Sequence, residues 1–217
     1  MAVPDSALTD LPPNPYDSVR PALRTGDLVL CSGRSRFARA IRWATKSPWS
    51  HVAMIVRLDE IDRVMMLESV EKYGVRAVAF SRFVFGEGRA LRPYAGKIVV
   101  ARHAAFADQC DPAAIKKFAE FAAFRLGAPF SAVEVWKIAL RIALDGLGIK
   151  LPRVLLPSDE FICSEYVARC YAVLGIDIVW DGKGFIAPAD VAADARVTAI
   201  ARIAAPSPPL TPPRAPP

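Results

Sequence analysis

Ser50-His51-Val52-Ala53-Met54-Ile55-Val56-Arg57-Leu58, then Asp59-Glu60-Ile61-Asp62, then Arg63-Val64-Met65-Met66-Leu67-Glu68-Ser69, is the stretch that decides the fold. Two apolar runs, 51–58 and 63–68, flank a short, mostly acidic link, which predicts an antiparallel hairpin. Closing it with a two-residue loop (Glu60-Ile61) or a four-residue loop (Asp59–Asp62) gives the same register, with Leu58 opposite Arg63 and Ala53 opposite Glu68. Side chains alternate along a strand, so His51, Ala53 and Glu68 share one face and Glu68 lies diagonal to His51. A carboxylate at that reach accepts the Nδ1–H of the imidazole and leaves the other nitrogen free as a base. A slip of one residue would send Glu68 to the opposite face. Each residue also has a plainer reading: His51 as a buried structural histidine, Glu68 as a solvated strand end.

A base needs a nucleophile, and the four cysteines at 31, 110, 163 and 170 differ in setting. Cys163 opens Cys163-Ser164-Glu165-Tyr166-Val167, where Tyr166, Val167, Cys170, Tyr171 and Leu174 recur at helical spacing. It falls in the first turn of that helix, where free N–H groups and the positive end of the dipole favour a thiolate. The same N–H groups suit an oxyanion. Taken alone, Cys163 fits equally well as a small apolar residue at a helix start. Cys170 and Cys31 read as packing and Cys110 as a bystander. Only two histidines are present, so His103 is the one competing base; after Arg102 at a strand end it reads as a surface residue. No close Cys/His ligand pair points to zinc, and no glycine-rich phosphate loop appears.

Around these residues lies the length for one ordinary domain, 217 residues. With 53% hydrophobic and 23% charged residues it excludes a mainly disordered chain, a collagen-like repeat and a disulfide-dense miniprotein. Five of the 19 prolines fall in residues 1–21 and seven in 206–217. The expected organisation is therefore a flexible proline-containing lead-in (1–21), a folded domain (22–204) and a proline-rich disordered tail (205–217). Further strands are expected at 75–80, 97–102 and 196–203, with one following Gly26-Asp27. Helices are expected at Phe37–Thr45, from Asp111-Pro112 to Gly127, at Ser131–Leu144 and from Cys163 to Leu174. Strands and helices are segregated rather than alternating, which makes the class α+β. No secretory leader and no membrane span are legible, so a cytoplasmic, reduced-thiol protein is expected.

Gly26-Asp27-Leu28-Val29, Ser50-His51-Val52, Leu67-Glu68, Cys163-Ser164-Glu165-Tyr166-Val167 and Pro188-Ala189-Asp190-Val191, in that order, resemble the circularly permuted NlpC-like cysteine peptidases and amidases. The resemblance implies a papain-like fold, an antiparallel sheet or small barrel packed against helices, with the histidine preceding the cysteine in the chain. It implies Cys163 as nucleophile, His51 as base and Glu68 as the residue orienting the histidine. The implied activity is amide hydrolysis or acyl transfer through a thioester, without a cofactor. One segment departs from the pattern: Gly127-Ala128-Pro129-Phe130-Ser131 stands where a Gly-x-x-Tyr-Asp motif is expected, and lacks both the tyrosine and the aspartate.

Substrate classes left open are a small molecule, a peptide or an acyl amide; lipid-directed acyl transfer and non-catalytic binding are the alternatives. Arg36, Arg39, Arg42 and Lys46 line one side of the first helix and suit either a solvated face or an anionic or lipid surface. The apolar helix at 131–144, with Trp136, reads as a core or cap helix, or as a contact with lipid. A net charge of +6 raises nucleic acid as a partner, but no basic stretch interleaved with aromatics supports a specific one. The oligomeric state is not legible.

Overall fold

The computed structural model describes residues 2–86, 92–108, 111–130, 162–179 and 186–204; the expected helix at 131–144, Cys110 and the proline tail lie outside them. The strands are β1 (Pro13–Asn14), β2 (Leu28–Gly33), β3 (His51–Leu58), β4 (Arg63–Val70), β5 (Gly74–Ala79), β6 (Gly96–His103) and β7 (Val197–Ile203). They form one sheet in the order β1-β7-β6-β2-β3-β4-β5, antiparallel throughout except where β1 meets β7. The helices are α1 (Ala7–Asp10), α2 (Tyr16–Val19), α3 (Arg36–Thr45), α4 (Phe80–Phe85), α5 (Ala104–Asp108), α6 (Pro112–Phe124), α7 (Cys163–Ala172) and α8 (Pro188–Ala193). Two start at side-chain caps: Ser35 accepts the Ala38 N–H and Asp111 the Ala114 N–H. This order makes the class α+β, with helices packed against one sheet. Among the described residues no helix is long and apolar enough to cross a membrane.

Central β2 is buried at every position. Its alternate residues enter two separate cores: Leu28 and Leu30 pack with Val52, Met54, Tyr166, Val167 and Tyr171, whereas Val29 and Cys31 pack with Ala53, Ile55, Met66, Phe80 and Tyr16. Period-two alternation thus puts apolar side chains on both faces, and the sheet is covered on both. Helix α7 is pinned from above and below. The Tyr171 hydroxyl donates to the Gly26 carbonyl at 2.7 Å, and that of Tyr166 to the Ala122 carbonyl of α6 at 3.3 Å. Asp27 of the Gly26-Asp27 turn is structural: it takes the Arg102 guanidinium on both oxygens at 2.7 and 2.8 Å and accepts the Arg24 N–H.

Two expectations are corrected. Residues 2–21 are not a flexible lead-in. Val3, Ala7, Leu8, Tyr16 and Val19 are buried, Pro13 and Asn14 pair with Arg202 and Ile203, and Arg202 donates to the Leu8 and Leu11 carbonyls. The prolines are compatible with this because β1 is an edge strand, where a missing N–H costs no ladder bond. His103, in turn, is fully buried rather than at the surface. The Ala-rich stretch after it folds as α5 and drives Phe106 into the core, so the His103 ring lies edge-on to Tyr171 at 5.4 Å, with Asp194 at 3.8 Å. Burial lowers its pKa.

Gly74 begins β5 with φ at 64°, and a Cβ there would meet the Ala128 carbonyl oxygen at 2.1 Å. That close approach lets Val75 exchange backbone hydrogen bonds with Ala128 and Gly127, both at 2.8 Å, tying the end of the α6 segment to the sheet. Gly74→Ala is expected to lower stability by about 2 kcal/mol or more through a disfavoured φ and a backbone clash, measured as a shift of the urea midpoint at unchanged m-value.

Candidate active site

The hairpin register is the one expected from the sequence: Met54 pairs with Leu67 and Leu58 with Arg63. At its open end β3 continues on the other side against β2, with Cys31 opposite His51. Ser50 fixes this corner, its hydroxyl accepting the Gly33 N–H at 2.9 Å and donating to the Cys31 carbonyl at 3.2 Å. His51 and Glu68 meet as their shared face requires, through Nε2 and Oε2 at 2.8 Å. The nitrogen differs from expectation. Glu68 takes Nε2, so the nitrogen left for a reacting partner is Nδ1.

The next strand completes the carboxylate. Arg76 stands directly opposite Glu68 on β5, and its Nε and Nη2 reach Oε1 at 2.8 and 2.6 Å. Glu68, with 1% of its side chain exposed, therefore has one oxygen on His51 and the other on Arg76. A buried carboxylate is tolerated when both oxygens are paired in this way. The Arg76 guanidinium also lies over the Tyr73 ring at 4.9 Å.

Cys163 is the first residue of α7, after an extended Ile162 that offers no side-chain cap. Its sulfur hydrogen-bonds the His51 ring and receives the backbone N–H groups of Val52 and Ser164. Ser164 anchors the start of the helix, its hydroxyl donating to the Ile186 carbonyl at 2.5 Å. Asp190 of the Pro188–Val191 motif caps α8 by accepting the Ala187 N–H at 2.7 Å.

These contacts set the charges. Burial alone would raise the Cys163 thiol, but the His51 imidazolium and the two backbone N–H groups outweigh it and hold the thiol below its usual value. Burial likewise opposes a charged His51. The Cys163 thiolate and Glu68 together overcome it and push the imidazole up to about 10. Glu68 is held below the ordinary carboxylate range by His51 and Arg76 against its own burial. Between these limits the favoured state is thiolate, imidazolium and carboxylate, with the first two titrating as a pair.

The trio opens onto a cavity of about 360 Å³. Phe37, Ile41 and Ala44 of α3 line it, together with Phe83, Phe130 and Ile162. Phe130 belongs to the segment that departs from the Gly-x-x-Tyr-Asp pattern, and it meets Phe37 edge-on at 6.2 Å. Tyr94 and Cys31 adjoin the trio: the Tyr94 hydroxyl hydrogen-bonds Cys31 and Ser50, and burial raises both the phenol and the Cys31 thiol. Among the described residues no group of three or more His, Cys, Asp or Glu side chains is arranged to hold a metal ion. Arg76 was within reach of the sequence, since an expected strand at 75–80 turning back after Ser69 sets it beside Glu68. Tyr94 carried no such signal.

A cysteine at a helix start bonded to a histidine, itself held by a carboxylate, in the chain order histidine, carboxylate, cysteine, is the permuted arrangement. The family described as permuted papain-like amidase enzyme, YaeF/YiiX, C92 family, matches residues 22–182. The chain belongs to this family. It is accordingly an enzyme of the cysteine peptidase and amidase type. Among solved structures, the metalloprotein yiiX from Escherichia coli O157:H7 is similar, at 20% identity over 82% of this chain and 97% of that one, with a TM-score of 0.57. That likeness bears on the fold. No curated protein matches the chain.

Within the C92 chain, Arg76 hydrogen-bonds Glu68 and Glu68 hydrogen-bonds His51. Glu68→Gln and Arg76→Gln should both raise the apparent pKa for iodoacetamide alkylation of Cys163, Glu68→Gln by more. Arg76→Lys should restore part of the loss. The pH dependence of alkylation, read by mass spectrometry, checks this; wild-type profiles in all three variants would leave Glu68 and Arg76 without an effect on the Cys163 thiolate.

Proposed function

We propose that the chain is a cysteine amidase that removes a small apolar acyl group from an amide, with Cys163 as nucleophile, His51 as acid and base, and Glu68 orienting His51. The observation that carries this reading is the junction of a thiolate–imidazolium pair with an apolar cavity. At about 360 Å³ it stands near the lower end of ligand sites, roughly 300–1,000 Å³. That size favours a short acyl chain over a folded peptide.

The Cys163 sulfur attacks the amide carbon, forming a C–S bond and placing negative charge on the carbonyl oxygen. The Cys163 backbone N–H, in the first turn of α7 where no preceding helical carbonyl reaches it, is the donor for that oxyanion. The C–N bond then breaks as His51 Nδ1–H gives its proton to the departing nitrogen, leaving a thioester on Cys163 and a neutral imidazole. That imidazole takes a proton from water, whose oxygen attacks the thioester carbon. The carboxylic acid leaves and the thiolate–imidazolium pair returns. Glu68 keeps its charge throughout and fixes Nε2, so Nδ1 stays directed at sulfur and substrate.

The apolar walls also favour a second reading, in which an alcohol or amine replaces water and the enzyme transfers the acyl group. Incubating the enzyme with an acyl amide and an added amine, then resolving free acid from transferred product, separates the two.

A ladder of N-acyl amides of increasing chain length is expected to show kcat/KM rising and then falling as the chain outgrows the cavity. Cys163→Ala should reduce turnover by on the order of 10⁴-fold or more. Ala44→Phe, which fills the wall, should raise KM for the longer members while leaving the shortest nearly unaffected. A flat response to chain length, with Ala44→Phe silent, would count against an acyl site.

A further inference from the structure

Helix α3 has two faces and only one is accounted for. Phe37, Ile41 and Ala44 line the cavity. Helical spacing gathers Arg36, Arg39 and Trp43 away from that wall, Lys46 follows as the C-cap, and all four are exposed. Trp43, 70% exposed, sits among the cations with its indole in solvent. Arg42 departs from the row expected of it: it is half-buried, and its Nη1 lies 3.4 Å from the Ser32 hydroxyl. The outward face and its C-cap thus carry three cations and one large aromatic side chain, and α3 contains no acidic residue.

We propose that α3 docks the enzyme on an anionic lipid bilayer, with Arg36, Arg39 and Lys46 against the headgroups and Trp43 inserted at the interface. Charge complementarity selects the partner, and Trp43 selects a bilayer over a dissolved polyanion. Indole is amphipathic and settles at headgroup depth, and a basic helix face with one such anchor is the pattern of an interfacial helix. The turn between β4 and β5 borders the same cavity through Val70 and Glu71 and carries Glu71, Lys72 and Tyr73 exposed. Because the inner face of α3 is a cavity wall, docking brings the cavity beside the membrane surface. An apolar acyl chain then moves between lipid and site along α3 with little exposure to water. The docking stands without the acyl-amidase reading; what it adds to that reading is the source of the substrate.

The test is co-sedimentation of the full chain with vesicles of phosphatidylcholine alone and of phosphatidylcholine mixed with phosphatidylglycerol, in low and high salt. The expected result is binding to the anionic vesicles only, lost at high salt as surface charges are screened. Replacing Arg36, Arg39 and Lys46 together by Gln should weaken partitioning by roughly 100-fold, and Trp43→Ser should weaken it separately. Wild-type tryptophan emission should shift to the blue on binding, and that of Trp43→Phe should not. Cys163 alkylation at wild-type rate shows that each variant is folded. Wild-type protein remaining in the supernatant with anionic vesicles overturns the proposal, as does undiminished sedimentation of the triple variant. So does tight binding of heparin or RNA that Trp43→Ser leaves unchanged, since the cations would then serve a soluble polyanion. Vesicle binding is read without turnover, so its failure and the failure of the amidase reading are separate events.

Discussion

Glu68 is a carboxylate enclosed by the sheet, and an ionised carboxylate with no water must find its compensation in fixed partners. It has two: the imidazole of His51 on one oxygen and the guanidinium of Arg76 on the other. Removing either leaves a buried charge short of a partner, a change that costs about 3–5 kcal/mol in comparable settings. The same arrangement sets the chemistry. A carboxylate held ionised next to Nε2 favours the imidazolium, and the imidazolium favours the Cys163 thiolate across Nδ1. Stability and the proposed reactivity thus both lead back to one side chain.

The rest of the fold serves to bring Glu68 to its partners. Three adjacent strands contribute one residue each, and register alone aligns them: His51 and Glu68 diagonally, Glu68 and Arg76 directly opposite. Cys163 comes from a helix much later in the chain and is set against β3 by Tyr166, Tyr171 and Ser164, each anchored to a backbone carbonyl. This division has a physical rationale. Strand register fixes the His51–Glu68 pair rigidly, whereas the helix start supplies backbone N–H groups that favour a thiolate.

The hairpin could be read from the chain because its apolar runs are long and its link is short, so that either loop length gave the same pairing. The helix beginning at Cys163 could be read because Tyr166, Val167, Cys170 and Tyr171 keep helical spacing. Other features depended on tertiary contacts that periodicity does not encode. The N-terminal residues looked like a tail because their prolines mask a few apolar side chains, which are buried only because β7 offers an open edge. His103 looked exposed because an Ala-rich stretch gives no sign of folding over it. The nitrogen of His51 facing Glu68 is a matter of ring rotation, which strand alternation leaves undetermined. Arg42 shares a helical row with three exposed cations, and only the position of Ser32 explains why it turns inward.

The central claim is that Glu68 and Cys163 hold His51 as an imidazolium far above its ordinary range. Nitrogen-15 NMR of the two histidine rings, followed from pH 5 to about 11 in the wild type and in Cys163→Ala, tests it directly. His103 gives a built-in reference, since burial moves it the opposite way. The account predicts that the His51 ring keeps both protons until the pH nears about 10, and that its transition falls to lower pH without the thiolate. A His51 ring that loses a proton near its ordinary value of about 6.5, with or without Cys163, would contradict it.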